Sequence, residues 1–258
     1  MRKLLVSISV LAMGGMLLAQ QPPAGAGGRG AGRGPGRGGP PVSALEETGF
    51  KAIFDGKTLD GWDCNPAFVK VVDGAIVGET TKDHQPPQNE FCIYRASQPG
   101  DFELKLQYKL TGASSGNSGI QYRSVEMPEV AKWVLKGYQF DIDSNQVYTG
   151  QLYEERGRGF LALRGMVSYI PNGAKVGSIA STGDSDQLKG LVKLNDWTDV
   201  HIIARQNTLI HILNGHVMSV TVDDDTANRK MSGLIGLQIH KTPNDMKIEA
   251  RNIRLKTF

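Results

Sequence analysis

Three short segments place a glutamine two residues before an ionisable side chain: Gln121 before Arg123, Gln139 before Asp141, and Gln238 before His240. Each sits in a run of alternating apolar and polar residues, and along a strand successive side chains point to opposite faces. In Ile120-Gln-Tyr-Arg123 the apolar Ile120 and Tyr122 claim the inner face, which assigns Gln121 and Arg123 to the other. In Tyr138–Asp143 the inner set is Tyr138, Phe140 and Ile142, and Gln139, Asp141 and Asp143 point outward. In Leu237–His240, Gln238 and His240 share the outer face. If these strands are neighbours, Arg123, Asp141 and His240 converge on one concave patch. An imidazole, a carboxyl and a guanidinium together supply a base, an acid and a partner for a developing oxyanion. An antiparallel sheet often shows one polar face to water, but repeated glutamine is less typical of such a face than lysine or glutamate.

The segment Gln151–Gly159 adds two carboxylates and two guanidiniums between glycines. Alternation groups Gln151, Tyr153 and Glu155. The following glycines leave the register open, so Glu154 stays beside Glu155 as a candidate acid or base, with Arg156 as a grip for a substrate oxygen. Trp133, in an irregular stretch, is the candidate for stacking against a ligand ring. Trp62 and Trp197 stand at element starts and read as packing residues, and His201 and His211 lie inside strands as structural residues. Asp223-Asp-Asp225 reads as a solvated turn, lacking the glycine and glutamate spacing of a calcium loop. No Gly-x-Ser-x-Gly elbow, phosphate loop or His-Glu-x-x-His is present.

The elements that must position these groups are strands. Phe68–Val72, Asp73-Gly74 and Ala75–Val77 read as a hairpin with an Asp-Gly turn. Phe102–Leu110 alternates for nine residues. His201–Arg205, Leu209–Leu213 and His216–Val222 follow, the last two joined by Asn214-Gly215. Leu234–His240 and Met246–Leu255 complete the set. Only Glu126–Lys136 suggests a short helical turn, weakened by Pro128. Many short strands without intervening helices predict an all-β sandwich or barrel.

Charge is distributed unevenly. Of 29 Lys and Arg against 26 Asp and Glu, five basic residues (Arg2, Lys3, Arg29, Arg33, Arg37) precede Pro41 with no acid among them. The remainder carries 24 basic and 26 acidic groups, which is no footprint for a phosphate backbone, so no nucleic-acid partner is expected. Arg2 and Lys3, the apolar stretch Leu4–Leu18 and a small residue at Ala19 have the layout of an export signal. No apolar run reaches the ~20 residues of a spanning helix. Residues 20–48, rich in Gly, Pro and Arg, read as a tether, and 49–258 as one domain. Cys64 and Cys92 fit no zinc pattern; a disulfide and a buried free thiol are both compatible with their placement.

Several segments together resemble the 3-keto-disaccharide hydrolase domain family. They are Phe54-Asp-Gly-Lys-Thr-Leu-Asp-Gly-Trp62, Gly100–Leu104, Asn117–Arg123, Gly137–Asp143 and Thr149–Tyr153. Asn195-Asp-Trp197, Leu213-Asn-Gly215, Gly236–His240 and Arg251–Arg254 continue the series. The resemblance implies a concanavalin A-like jelly roll of two antiparallel sheets, one curved into a carbohydrate groove. It implies cleavage of the glycosidic bond of 3-keto-glycosides, by elimination and hydration or by hydrolysis. For that chemistry the base is His240 or Glu155, the acid Asp141 or Glu154, and the oxyanion partner Arg123. A divalent cation on Asp141, His240 and a glutamate is the alternative to Arg123. Gln121, Gln139, Asp143, Tyr153, Arg156, Gln238 and Trp133 are the expected substrate contacts. The competing class is a lectin-like binding module, because this architecture serves both.

Overall fold

The computed structural model describes residues 48–112 and 115–258. The export signal and most of the tether lie outside them. The strands begin with β1 (Lys51–Ala52), β2 (Trp62–Asp63), β3 (Val69–Val72), β4 (Ala75–Thr80), β5 (Glu90–Tyr94) and β6 (Phe102–Gly112). The middle of the chain forms β7 (Asn117–Glu126), β8 (Leu135–Asp143), β9 (Leu152–Glu155), β10 (Gly159–Ala162), β11 (Met166–Ile170) and β12 (Gly177–Ser181). After a short helix, α1 (Ser185–Lys189), come β13 (Thr198–Arg205), β14 (Thr208–Leu213), β15 (His216–Asp223), β16 (Leu234–Ile239) and β17 (Met246–Thr257).

Among the described residues these strands form two sheets. The larger has the order β12-β11-β15-β14-β13-β6-β17-β4-β3, with β1 also paired to β17; the smaller runs β10-β9-β8-β7-β16-β5-β2. The architecture is the all-β sandwich the sequence predicts. One pairing departs from the wholly antiparallel expectation: β11 lies parallel to β15. It follows a crossover, in which the chain leaves β10 in the smaller sheet and enters the larger one at β11.

Alternation explains the core. Along β6, Phe102, Leu104, Leu106, Tyr108 and Leu110 are buried and the intervening residues only partly so. They face Ile120 and Tyr122 of β7, Phe140 and Ile142 of β8, and Leu237 and Ile239 of β16 within one apolar cluster. His211 is buried there too, 2.8 Å from the Tyr122 hydroxyl. Burial drives its pKa down to about 3, so it stays neutral. The predicted turns form as expected: Asp73-Gly74 and Asn214-Gly215 both have positive φ, the conformation of a tight hairpin.

Glu126–Lys136 makes one hydrogen-bonded turn, with the amides of Val130 and Ala131 donating to Met127 O, and no helix. The connection from β7 to β8 then folds back: Phe91 N–H donates to Trp133 O at 2.9 Å. Trp133 packs on Phe91, Ile93, Leu135 and Leu234. Leu135 passes so near Gly236 that a Cβ there would lie 2.8 Å from its methyl group. One end of the smaller sheet's outer face is thereby covered. Cys64 and Cys92 are joined as a disulfide, resolving the alternative left by their spacing.

Candidate active site

The uncovered end of that face holds a cavity of about 290 Å3 lined by Asn89, Asn117, Gln139, Asp141, Tyr148, Tyr153, Glu155, Phe160, Gln238 and His240. Strand register explains the grouping. Gln139 pairs with Tyr153 across β8 and β9, and Gly119 of β7 pairs with Asp141 of β8. Gln238 and His240 approach from the other side of β7, on β16 and just beyond its end. Gly119 lies between. A Cβ there would sit 2.4 Å from Gln139 Cδ, so the missing side chain lets Gln139 lie across the floor. Gln139 Nε2 donates to Asp141 Oδ1 at 3.2 Å. Gln139 Oε1, Gln238 Oε1 and His240 Nδ1 are buried without a hydrogen-bond partner. These three unpaired atoms gather on one cavity, where a ligand can satisfy them.

Electrostatics separate the titratable groups. Burial pushes the Asp141 carboxyl up to about 8, assisted by the neighbouring charges of Asp143 and Glu155 and opposed by the Gln139 hydrogen bond. Burial also raises Glu155, against the pull of Arg156 and a hydrogen bond to Asn89. His240 is lowered by burial, which disfavours its cation. At neutral pH the cavity therefore presents a protonated carboxyl on β8 and a neutral imidazole beyond β16. Groups pushed in these directions can act as acid and base respectively.

Several predicted residues stand elsewhere. Arg123 has a φ of 46° at a bulge in β7, where the pairing with β8 shifts between Tyr122 and Val125. Its fully buried guanidinium donates to Gly100 O at 2.9 Å, Gln206 O at 2.6 Å, Lys230 O at 3.2 Å and Asp101 Oδ1 at 3.2 Å. Strict alternation fails at a bulge, so Arg123 ties loops together and is no oxyanion partner. Gln121 keeps the predicted face but is buried beside the bulge, its Oε1 accepting from Ser124 Oγ, and does not line the cavity.

Glu154 points to the opposite side from Tyr153 and Glu155 and is buried against Arg158. Arg158 also reaches Asp223 Oδ2 at 2.6 Å and Asp225 Oδ2 at 3.3 Å. Glu154 is thus a structural ion-pair member, and Asp223 and Asp225 are buried partners instead of a solvated turn. Asp143 likewise leaves the cavity. Its carboxylate accepts the backbone N–H groups of Val147 at 2.8 Å, Tyr148 at 3.0 Å and Thr149 at 2.9 Å, shaping the loop that carries Tyr148. Arg156 is exposed and donates to Gln88 Oε1. Trp133 donates its indole N–H to Asp63 at 2.7 Å and serves the covering segment, so it is no platform in the cavity.

Asn89, Asn117, Tyr148 and Phe160 also line the cavity, beyond the residues expected from the sequence. Asn117 was within reach, since it continues the Gln121–Gly119 alternation on the same face. Tyr148 belongs to a loop and has no periodic signal. A metal centre is not assembled: among the described residues no three His, Cys, Asp or Glu side chains converge as a ligand set. The particular set considered from the sequence, Asp141 and His240 completed by a glutamate, is therefore not brought together.

Solved structures with similar folds include two candidate glycosyl hydrolases of Parabacteroides distasonis ATCC 8503. One is 20% identical, with a TM-score of 0.52 over 81% of this chain and 99% of that one. The other is 18% identical, with a TM-score of 0.51 over 81% and 94%. A Bacillus subtilis protein with a galectin-like fold is 12% identical, with a TM-score of 0.52 over 77% and 90%. At these identities the likeness shows the sandwich fold alone. Among curated proteins none matches the chain. The sequence itself goes further than the fold, because the profile of the 3-keto-alpha-glucoside-1,2-lyase-like domain matches residues 49–256, which include every residue lining the cavity. The chain belongs to that family.

Proposed function

We propose that this protein cleaves the glycosidic bond of 3-keto-glycosides by elimination across C1 and C2, with water then adding to the unsaturated sugar. The observation that carries this reading is the pairing, in one cavity, of a carboxyl held protonated up to about pH 8 with an imidazole held neutral. A ketone at C3 acidifies the hydrogen at C2. His240 takes that proton, and the electron pair passes toward the C3 oxygen as an enolate. Return of the pair forms the C1–C2 double bond and expels the C1 oxygen, which Asp141 protonates. The side-chain amides of Asn117 and Gln238 line the cavity and would offer donors for the enolate oxygen. Glu155 sits beside Asp141, and its charge favours the protonated acid.

Acid and base thus stand on opposite sides of Gly119, where a sugar ring between them would meet both. The cavity lies near the lower end of the ~300–1,000 Å3 typical of small-molecule sites, which suits one ring. The Cys64–Cys92 disulfide supports an oxidising compartment and agrees with the export signal proposed at the N-terminus. The test is to incubate the protein with a 3-keto-disaccharide and with its unoxidised parent. Sugar release from the keto form alone is expected. Binding of both without turnover would overturn the enzymatic reading in favour of a sugar-binding module.

A further inference from the structure

The cavity is chemically lopsided. Its floor is amide and acid–base, while the wall at the β9–β10 edge is aromatic: Tyr148, Tyr153 and Phe160. Phe160 pairs across the strands with Tyr153, ring centroids 4.9 Å apart in an edge-on arrangement. Tyr148 stacks on Phe160 at 5.4 Å with an interplanar angle of 19°. Two of these rings are unusually open for their size, Tyr148 at 40% and Phe160 at 39% exposure. Burial of large aromatics is strongly favourable, so a pair left exposed beside a cavity marks a surface that gains by being covered.

The pair is also fixed in place. Tyr148 N–H is held by Asp143 Oδ1 at 3.0 Å, and Thr149 O, the next carbonyl, accepts from Arg164 Nη1 at 3.0 Å. Gln151 Nε2 donates to Val147 O at 2.7 Å on the other flank. A loop bound this closely presents Tyr148 as a rigid surface, so a ligand ring can settle on it without first ordering it.

We infer that this wall receives the leaving group, and that the preferred leaving group carries an aromatic ring. The inference rests on the elimination reading above. The sugar that reacts must lie among Asp141, His240 and the amides. The opposite end of the sheet face is closed by Trp133 and Leu135 on Phe91, Ile93 and Leu234, which directs the leaving group toward the β9–β10 edge. A second sugar would bring a ring of hydroxyls needing partners. A sugar can also lay its C–H face on such rings, but on this wall its hydroxyls would meet only the two tyrosine hydroxyls, whereas an aryl group needs no such partners. Asp143 and Arg164 act here as positioning residues, through the Tyr148 loop.

The test compares benzyl and ethyl 3-keto-glucosides, whose departing alcohols are similarly basic, so that a preference reports contact with the ring. The intact protein is expected to favour the benzyl compound in kcat/KM by about five- to tenfold, the size of one ring-on-ring contact. Phe160→Ala and Tyr148→Ala should each bring that ratio close to one. Because the ratio is internal to each variant, partial loss of folded protein does not mimic the result. Equal rates for the two compounds with the intact protein, or an unchanged ratio in both variants, would overturn the inference and leave the elimination reading standing. If neither compound is cleaved, the elimination reading falls. The affinity ratio of the two compounds by titration calorimetry then decides the wall by itself, with a benzyl preference supporting it and parity overturning it.

Discussion

At the scale of single residues, Asp141 is the centre of the account. Its raised pKa and the lowered one of His240 set opposite limbs of a pH–rate profile. The rate should fall above about pH 8 as Asp141 loses its proton, and fall on the acid side below the ordinary histidine value as His240 gains one. Folding is linked in a definite direction. The folded state holds a proton on Asp141 that the unfolded chain releases near 3.8, so this group weakens the fold progressively as pH rises from there toward 8. Asp141→Asn should therefore lower turnover by roughly 10²–10⁴-fold, yet melt higher than the parent at pH 9 and no higher at pH 3. Equal melting at both pH values would remove the premise that the carboxyl is held protonated. Arg123 belongs to the other category. With four acceptors around a fully buried guanidinium, Arg123→Ala should cost about 3–5 kcal/mol in chemical denaturation. The folded fraction should keep its affinity for the keto sugar. In the sequence Arg123 and Asp141 looked equivalent, each two residues after a glutamine. What separates them is a bulge, a backbone event with no periodic signature.

At the scale of elements, the strands were legible because burial imposes a period of two on them. Phe102–Leu110 and the Asp-Gly and Asn-Gly hairpins fold as their residues dictate. The cavity-facing sides of β8 and β16 were legible for the same reason, giving Gln139, Asp141, Gln238 and His240. Loops were not. Asp143 follows the alternation in sequence, but its carboxylate is captured by three backbone amides of the next turn. Trp133 turns to cover apolar neighbours. Those local hydrogen bonds and contacts carry no pattern that a strand-by-strand reading detects. The glycine at the middle of the floor offers the sharpest test at this scale. Gly119→Ala would bring a methyl group to 2.4 Å from Gln139 Cδ, so Gln139 must swing aside and disturb its hydrogen bond to Asp141. The variant should fold, because the obstacle is a movable side chain, and lose about tenfold or more in kcat/KM through misplacement of the acid. Unaltered kinetics would show that Gln139 does not position Asp141.

At the scale of the whole molecule, the sandwich is stapled as well as packed. The Cys64–Cys92 bridge closes a separation of 28 residues, a loop whose closure is worth about 3–4 kcal/mol in the chain-entropy account. A reductant should lower the melting temperature by several degrees, and the same loss should appear in Cys64→Ser without reductant. No change in either would mean that the bridge contributes nothing to stability. The overall charge of +3 says little about the site, since five of the basic residues precede Pro41. What organises the molecule is the division of one sheet face into a covered apolar end and an open polar end. That division is a tertiary property, set by where the β7–β8 connection folds back. It was unreadable from composition or motif.

The central claim is that the open end removes the C2 proton of a 3-keto sugar. The most direct measurement is the rate of glycosidic cleavage for a 3-keto-glycoside carrying deuterium at C2 against its protiated form, under single-turnover conditions. Cleavage of the deuterated substrate should be slower, and the label should be lost to water. Equal rates with the deuterium retained at C2 in the released sugar would contradict that claim.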